Sequence, residues 1–305
     1  MKWPEELIFM KNSKAVQKES TTSMAGKLTI ITGATSGVGL STAKILAASK
    51  SNLVLVCRNK AKALPIQAEL IEKHGIEVDI VVADFSRFDQ VRKAASVILS
   101  RYKKIDVLIN SVGIHSTRKL YNDDGIELCF AVNHLSTFLF TKLLLPTMIQ
   151  SAPSRIIQVN SEGHRFSSVK LKDINFKRRI YTGLKGYGQS KTAQLLTILE
   201  LDDQLKDTNV TINSCHPGAV KTAIGSNNGW LYRFFFKHVT SHFLKDPIIS
   251  GKAIYYLASA PELDKVSGRF FNLTIDELPA KHARDKELSK KVYDLSMEMV
   301  GLKDV

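Results

Sequence analysis

What most constrains this chain is an alternation. Runs of apolar, largely β-branched residues recur at 27–32 (KLTIIT), 52–57 (NLVLVC), 77–82 (EVDIVV), 105–110 (IDVLIN), 155–159 (RIIQV) and 210–215 (VTINSC). Helix-like stretches lie between them at 39–49, 60–73, 87–101, 126–150 and 187–206. A strand wetted on one face alternates apolar with polar residues, whereas a strand apolar throughout is covered on both faces. Such strands, separated by helices and joined by right-handed crossovers, form a doubly wound parallel sheet. The expected fold is α/β, a three-layer sandwich on a mostly parallel seven-stranded sheet. With no repeat or low-complexity linker, one domain over 26–305 is expected. The polar, aperiodic 11–25 and the residues before it read as a mobile leader, 1–25.

Composition narrows the classes of function. Three cysteines (Cys57, Cys129, Cys215) are too few and too scattered for a disulfide framework or a zinc site, so no metal is expected. Each reads as a small buried hydrophobe in a reducing compartment. No run of about 18 apolar residues marks a membrane-crossing helix, and residues 7–10 are too short an apolar run for a signal peptide. A cytoplasmic location is expected, with peripheral membrane contact and homodimerisation left open. The formal net charge is +14, but the densest basic cluster is only Lys177-Arg178-Arg179, with no finger or RNP-like motif beside it. That argues for a solvated basic surface, suited to a polyanionic cofactor or an anionic membrane, and against nucleic acid.

After the first strand comes Thr32-Gly33-Ala34-Thr35-Ser36-Gly37-Val38-Gly39. Glycines between strand one and helix one let the backbone approach a pyrophosphate seated at the helix N-terminus, as in Rossmann dinucleotide sites. At the end of the second strand an acidic residue would hold the ribose 2′-hydroxyl of NAD(H). Arg58-Asn59 stands there instead, and Arg58 can neutralise a 2′-phosphate, so NADP(H) is expected over NAD(H). After the third strand Asp84-Phe85 places a carboxylate that either accepts from an adenine amino group or caps the next helix.

The order of these and later segments resembles the short-chain dehydrogenase/reductase family over residues 27 to about 300. TGATSGVG matches its glycine motif, and Tyr187-Gly188-Gln189-Ser190-Lys191 its YxxxK. Asn133 in FAVNHLSTF and Ser161 in RIIQVNSEGH complete its catalytic tetrad. Asn110 and Gly113, with Val112 between them, match the floor of the cofactor site. His216 to Thr222, with Pro217, Gly218, Val220 and Thr222, matches the segment that closes over the nicotinamide. The resemblance implies hydride transfer between nicotinamide and an alcohol or carbonyl. In it Tyr187 exchanges the proton, Ser161 holds the substrate oxygen, Lys191 holds the nicotinamide ribose and Asn133 carries a relaying water. Elementary chemistry agrees. On a helix Tyr187 and Lys191 share a face, and an ammonium beside a phenol of pKa about 10 stabilises the phenolate. Tyr181 and Lys185 have the same spacing, but Gly183 and Gly186 argue against a helix there.

The insertion between Ser161 and Tyr187, VNHLSTF, and the tail SGRFFN…ARDKELSKKVYDLS resemble the retinol dehydrogenase and WW-domain oxidoreductase branch, which implies a lipophilic substrate. Residues 229–245 (GWLYRFFFKHVTSHFLK) pair Trp230 with Phe234 and Leu231 with Phe235. They read as a core-packed helix, as a substrate lid near 223–245, or as an interfacial membrane anchor. The competing function is a catalytically silent cofactor-binding regulator.

Overall fold

Successive residues of a strand point to opposite faces of a sheet, and here both faces are dry. Ile30, Val54, Leu108 and Ile156 enter one apolar cluster, and their chain neighbours Ile31, Leu55, Ile109 and Ile157 enter another. The computed structural model describes residue 12, residues 15–218 and residues 246–303. Its strands are β1 (Leu28–Thr32), β2 (Asn52–Cys57), β3 (Val78–Val82), β4 (Val107–Asn110), β5 (Ser154–Val159), β6 (Val210–His216), β7 (Phe270–Asn272) and β8 (Ile275–Glu277). They form one sheet in the order β3-β2-β1-β4-β5-β6-β7-β8. All neighbours are parallel except β7 and β8. The expected seven strands are therefore eight. The additional one is a three-residue strand that folds back on β7, too short to show any period in the sequence.

The helices are α1 (Gly37–Ala48), α2 (Lys60–His74), α3 (Phe88–Arg101), α4 (Ser136–Gln150), α5 (Gly183–Leu205), α6 (Pro247–Ser259) and α7 (Lys286–Met299). Residues of α1, α2 and α6 join one cluster, and residues of α3, α4, α5 and α7 the other. The chain runs outward through β2 and β3, then returns to place β4 on the other side of β1. That reversal opens a crevice at the strands' carboxyl ends, where ligands of such sheets bind.

Three local outcomes differ from the sequence expectation. The helix expected over 126–150 begins as a π turn, Phe130–Leu135, before α4. α5 begins at Gly183 rather than near 187, so the two glycines do not exclude a helix. Residues 15–25 are not loose, as a mobile leader would be. The Lys18 N–H donates to Thr274 Oγ1 (2.8 Å), Tyr255 Oη donates to the Thr22 carbonyl, Ser20 and Ser259 share a hydroxyl bond (2.8 Å), and Met24 is buried. The expected lid lies outside the described residues. Among those described, no helix is long and apolar enough to cross a membrane.

Candidate active site

The glycine loop is built by close approach. Gly33 has φ +70°, and a Cβ there would lie 3.1 Å from the backbone of Val112. A Cβ on Gly39 would lie 2.4 Å from the Gly33 carbonyl oxygen, which only a hydrogen permits. Thr32, which the sequence reading did not single out, fixes the other wall: its Oγ1 accepts from the N–H groups of Ser111 (3.0 Å) and Val112 (3.1 Å). Ser36 is the N-cap of α1 but makes no side-chain cap, and the first turn holds no acidic residue. Val38 and Gly39 are buried in that turn, with Thr35 and Gly37 before them. The helix N-terminus thus faces the crevice with its positive pole uncontested, a fit for a pyrophosphate. Gly39→Ala is expected to displace the loop, lowering the melting temperature by the equivalent of about 1–3 kcal/mol and weakening dinucleotide binding. Calorimetry and fluorescence titration would show both.

Around this cradle the expected contact residues are divided. Arg58 is exposed at the end of β2. Asn59 spends its Oδ1 on capping α2 through Lys62 N–H (3.1 Å). Asp84 does not cap a helix; its Oδ1 accepts from the N–H and hydroxyl of Ser86 (2.9 and 2.8 Å), and Arg87 is the N-cap of α3. The Phe85 ring is buried against Phe140, so only its backbone can line the crevice. Asn110 turns inward, donating from Nδ2 to Thr141 Oγ1 (2.8 Å) of α4, with its Oδ1 buried and unpartnered. Gly113 leaves space above two residues of the expected tetrad: a Cβ there would lie 3.5 Å from Asn133 Oδ1 and 3.9 Å from Lys191 Nζ. Gly218 has φ +82°, and the carbonyl of Pro217 accepts from Ser250 Oγ of α6 (2.5 Å). Val220 and Thr222 lie outside the described residues.

The four residues of the expected tetrad come from three elements and converge. Ser161 follows β5 and opens a 3-10 turn, Glu162–Phe166, with its Oγ accepting from Gly163 N–H (3.0 Å). Gly163 is the hinge of the geometry: a Cβ there would lie 2.6 Å from Tyr187 Cε1 and 3.3 Å from Ser161 Oγ. Tyr187 and Lys191 stand one turn apart on α5, with Nζ 5.7 Å from the phenol centroid. Asn133 comes from the π turn. Its Oδ1 accepts from Ile114 N–H (2.8 Å), and its Nδ2 donates to the Ile114 carbonyl and Ser190 Oγ (3.0 Å each). Lys191 is buried, and that burial lowers its pKa to about 7. His115 completes the wall, its ring 5.5 Å from that of Tyr187 and edge-on to it. Nothing in the sequence marked His115, because the contact depends on the loop after β4 meeting α5.

Three further histidines support this end of the sheet from within. His164 Nε2 accepts from the Ala280 N–H (3.1 Å), so Nδ1 carries the proton it shares with the Ser161 carbonyl (2.7 Å). His134 shares a hydrogen bond with Ser296 Oγ (2.8 Å), and His216 ends β6. Burial pushes their pKa values down to about 3, 3 and 4 respectively. Beside them Glu162 is pushed up to about 7 by burial, despite its ion pair with Arg165.

A dinucleotide-binding α/β protein with a Tyr–Lys pair over the switch point is the class that this fold and site define. The model of the short chain dehydrogenases matches residues 27–229, and the chain belongs to that oxidoreductase family. It is similar to human retinol dehydrogenase 14, at 35% identity over 295 residues, covering 92% of this chain and 88% of that protein. Human retinol dehydrogenase 13 is 34% identical over 292 residues, covering 93% and 87%. The WW domain-containing oxidoreductase of Gallus gallus is 30% identical over 297 residues, covering 95% and 72%. A short chain dehydrogenase from Shigella flexneri 2a, solved complexed with NADP, shares the fold with a TM-score of 0.68 at 19% identity, covering 83% of this chain and 99% of that one.

Proposed function

We propose that the chain is an NADP(H)-dependent oxidoreductase acting on a lipophilic alcohol or carbonyl, with Tyr187 as its general acid and base. The observation that carries this reading is the meeting of Ser161 and the Tyr187 ring around Gly163, with the Lys191 ammonium one helical turn away. Gly33, Gly37 and Gly39 with the α1 N-terminus would hold the pyrophosphate, Arg58 the 2′-phosphate, and Gly113 leaves room for the ribose above Lys191. When bound, the dinucleotide supplies or accepts the hydride. Tyr187 gives or takes the proton at the substrate oxygen, Ser161 Oγ orients that oxygen by a hydrogen bond, and Lys191 places positive charge beneath the phenol.

The substrate class is supported by apolar side chains around this site. Phe166 (64% exposed) ends the turn that Ser161 begins. Ile180 (80%) and Leu184 (57%) flank Gly183, which packs on His115. The similarity to retinol dehydrogenases points the same way. Oxidation of NADPH by aldehydes of graded chain length is the direct test: long-chain aldehydes should be favoured, and a preference for short, polar ones would overturn the substrate class. For the cofactor, the unaltered protein should bind NADPH more tightly than NADH. Arg58→Asp should shrink that preference about tenfold or more. Equal binding of both dinucleotides by the unaltered chain would refute the assignment of Arg58.

A further inference from the structure

Lys191 is a buried cation that, among the described residues, has no carboxylate beside it. Its Nζ donates to the Val159 carbonyl (2.9 Å) and to Gln194 Oε1 (3.1 Å). The titratable groups facing it are Tyr187, one turn back on α5; Cys129, just before the π turn, whose thiol burial keeps protonated; and His216 of β6, which burial keeps neutral. A cation so placed depends on the dipoles that hold it.

Gln194 is the side chain that organises those dipoles. Its Oε1 also accepts from Asn160 Nδ2 (3.1 Å), and its Nε2 donates to the Asn133 carbonyl. Asn160 in turn donates to the Lys191 carbonyl (3.0 Å) and accepts from the Ser161 N–H (2.7 Å). One amide therefore ties together the π turn, the end of β5 and α5, which carry Asn133, Ser161 and Lys191. The neighbours fix its orientation. Reversed, its NH2 would face two donors and its oxygen would face the Asn133 oxygen. The Asn133 carbonyl also accepts from Thr137 Oγ1 (2.7 Å).

We infer that Gln194 is a positioning residue of this active site, holding the Lys191 ammonium beneath Tyr187 and tying it to the π turn that carries Asn133. The inference rests on the function proposed above, so its test includes a measurement that needs no turnover. In the full chain, carbon-13 labelling at lysine Cε allows the Lys191 midpoint to be read by NMR titration, with the resonance identified by its loss in Lys191→Met. Gln194→Met removes the neutral acceptor and should lower that midpoint by about one pH unit. Gln194→Glu keeps the shape, adds a carboxylate and should raise it by at least as much. The pH profile of kcat/KM for NADPH-dependent carbonyl reduction should move down in the first variant and up in the second. In Gln194→Met, kcat should fall about tenfold or more while the carbonyl KM holds. An unchanged Lys191 midpoint in both variants would make Gln194 mere filling and overturn the inference. If Gln194→Met does not fold, Gln194→Glu decides on the same readout. Absence of any nicotinamide-dependent turnover in the unaltered chain would refute the proposed function alone, because the titration would still decide the role of Gln194.

Discussion

Tyr187→Phe is expected to remove turnover while leaving the fold and dinucleotide binding in place. The ring that packs against Gly163 and His115 survives the change, and only the hydroxyl proposed to exchange a proton is lost. General acid–base catalysis by one group contributes about 10²–10⁴-fold, and a loss of that size in kcat is the expected result. Tyr181→Phe is the matched control. Its hydroxyl donates toward the Ser116 carbonyl (3.0 Å) and Glu127 Oε1 (3.2 Å), outside the tetrad. Glu127 is a buried carboxylate that also receives the N–H groups of Cys129 and Phe130 at the start of the π turn. Removing the Tyr181 hydroxyl should therefore cost about 1–3 kcal/mol of stability and little of kcat. Steady-state kinetics with calorimetry on both variants separates the two roles. The reverse pattern would move the active site to Tyr181 and Lys185.

Acid should unfold this protein early. His134, His164 and His216 ionise near 3, 3 and 4 in the folded chain, against an ordinary value of 6.5. Between about pH 4.5 and 6.5 the unfolded chain therefore holds three protons that the folded chain refuses. Glu162 acts in the opposite sense: folded, it keeps its proton up to about 7, against 4.5 when exposed. Near the middle of that range the unfolded state then binds a net two protons more (three less one), and stability falls on acidification by about 3 kcal/mol per pH unit. Burial of His115 lowers its pKa and adds in the same direction. The stability from the histidines is complete above pH 6.5 and is lost as pH falls toward their folded values. Denaturant titrations across this range give the slope directly. His164→Gln should flatten it by about half, since one of the two net protons disappears. A flat profile would mean that the histidines are hydrated and charged.

Elements whose signal lies within a few residues were legible in the sequence, and those that depend on distant partners were not. β2 was bounded correctly because NLVLVC is apolar from its second residue on and flanked by polar residues. The Tyr187–Lys191 pair was legible because one helical turn fixes its geometry. The beginning of α5 was misread because glycine is a poor helix former, yet both glycines there answer to packing. A Cβ on Gly183 would lie 2.8 Å from the Ser116 carbonyl oxygen, and one on Gly186 would lie 2.6 Å from the Tyr181 ring. The roles of Asn160 and Gln194 were not legible, because their meaning lies in bonds to each other and to Lys191. The π turn was hidden as well, since all six of its residues are buried and present no one-sided apolar stripe whose rotation would mark the extra residue.

The tethering of residues 12 and 15–25 has a consequence for the order of events in synthesis. Asn12 donates to Glu277, 265 positions later, and Lys18 to Thr274, 256 positions later. The partners sit on or beside β8, which can join the sheet only through β7. At a translation rate of about 5–20 residues per second, residues 12 and 18 wait tens of seconds after their own synthesis for a place to dock. Contacts of such long range carry the largest loop-closure cost and form late. For that interval this segment is open to proteases and to other binding proteins, a susceptibility that ends only when the sheet's last strand is in place.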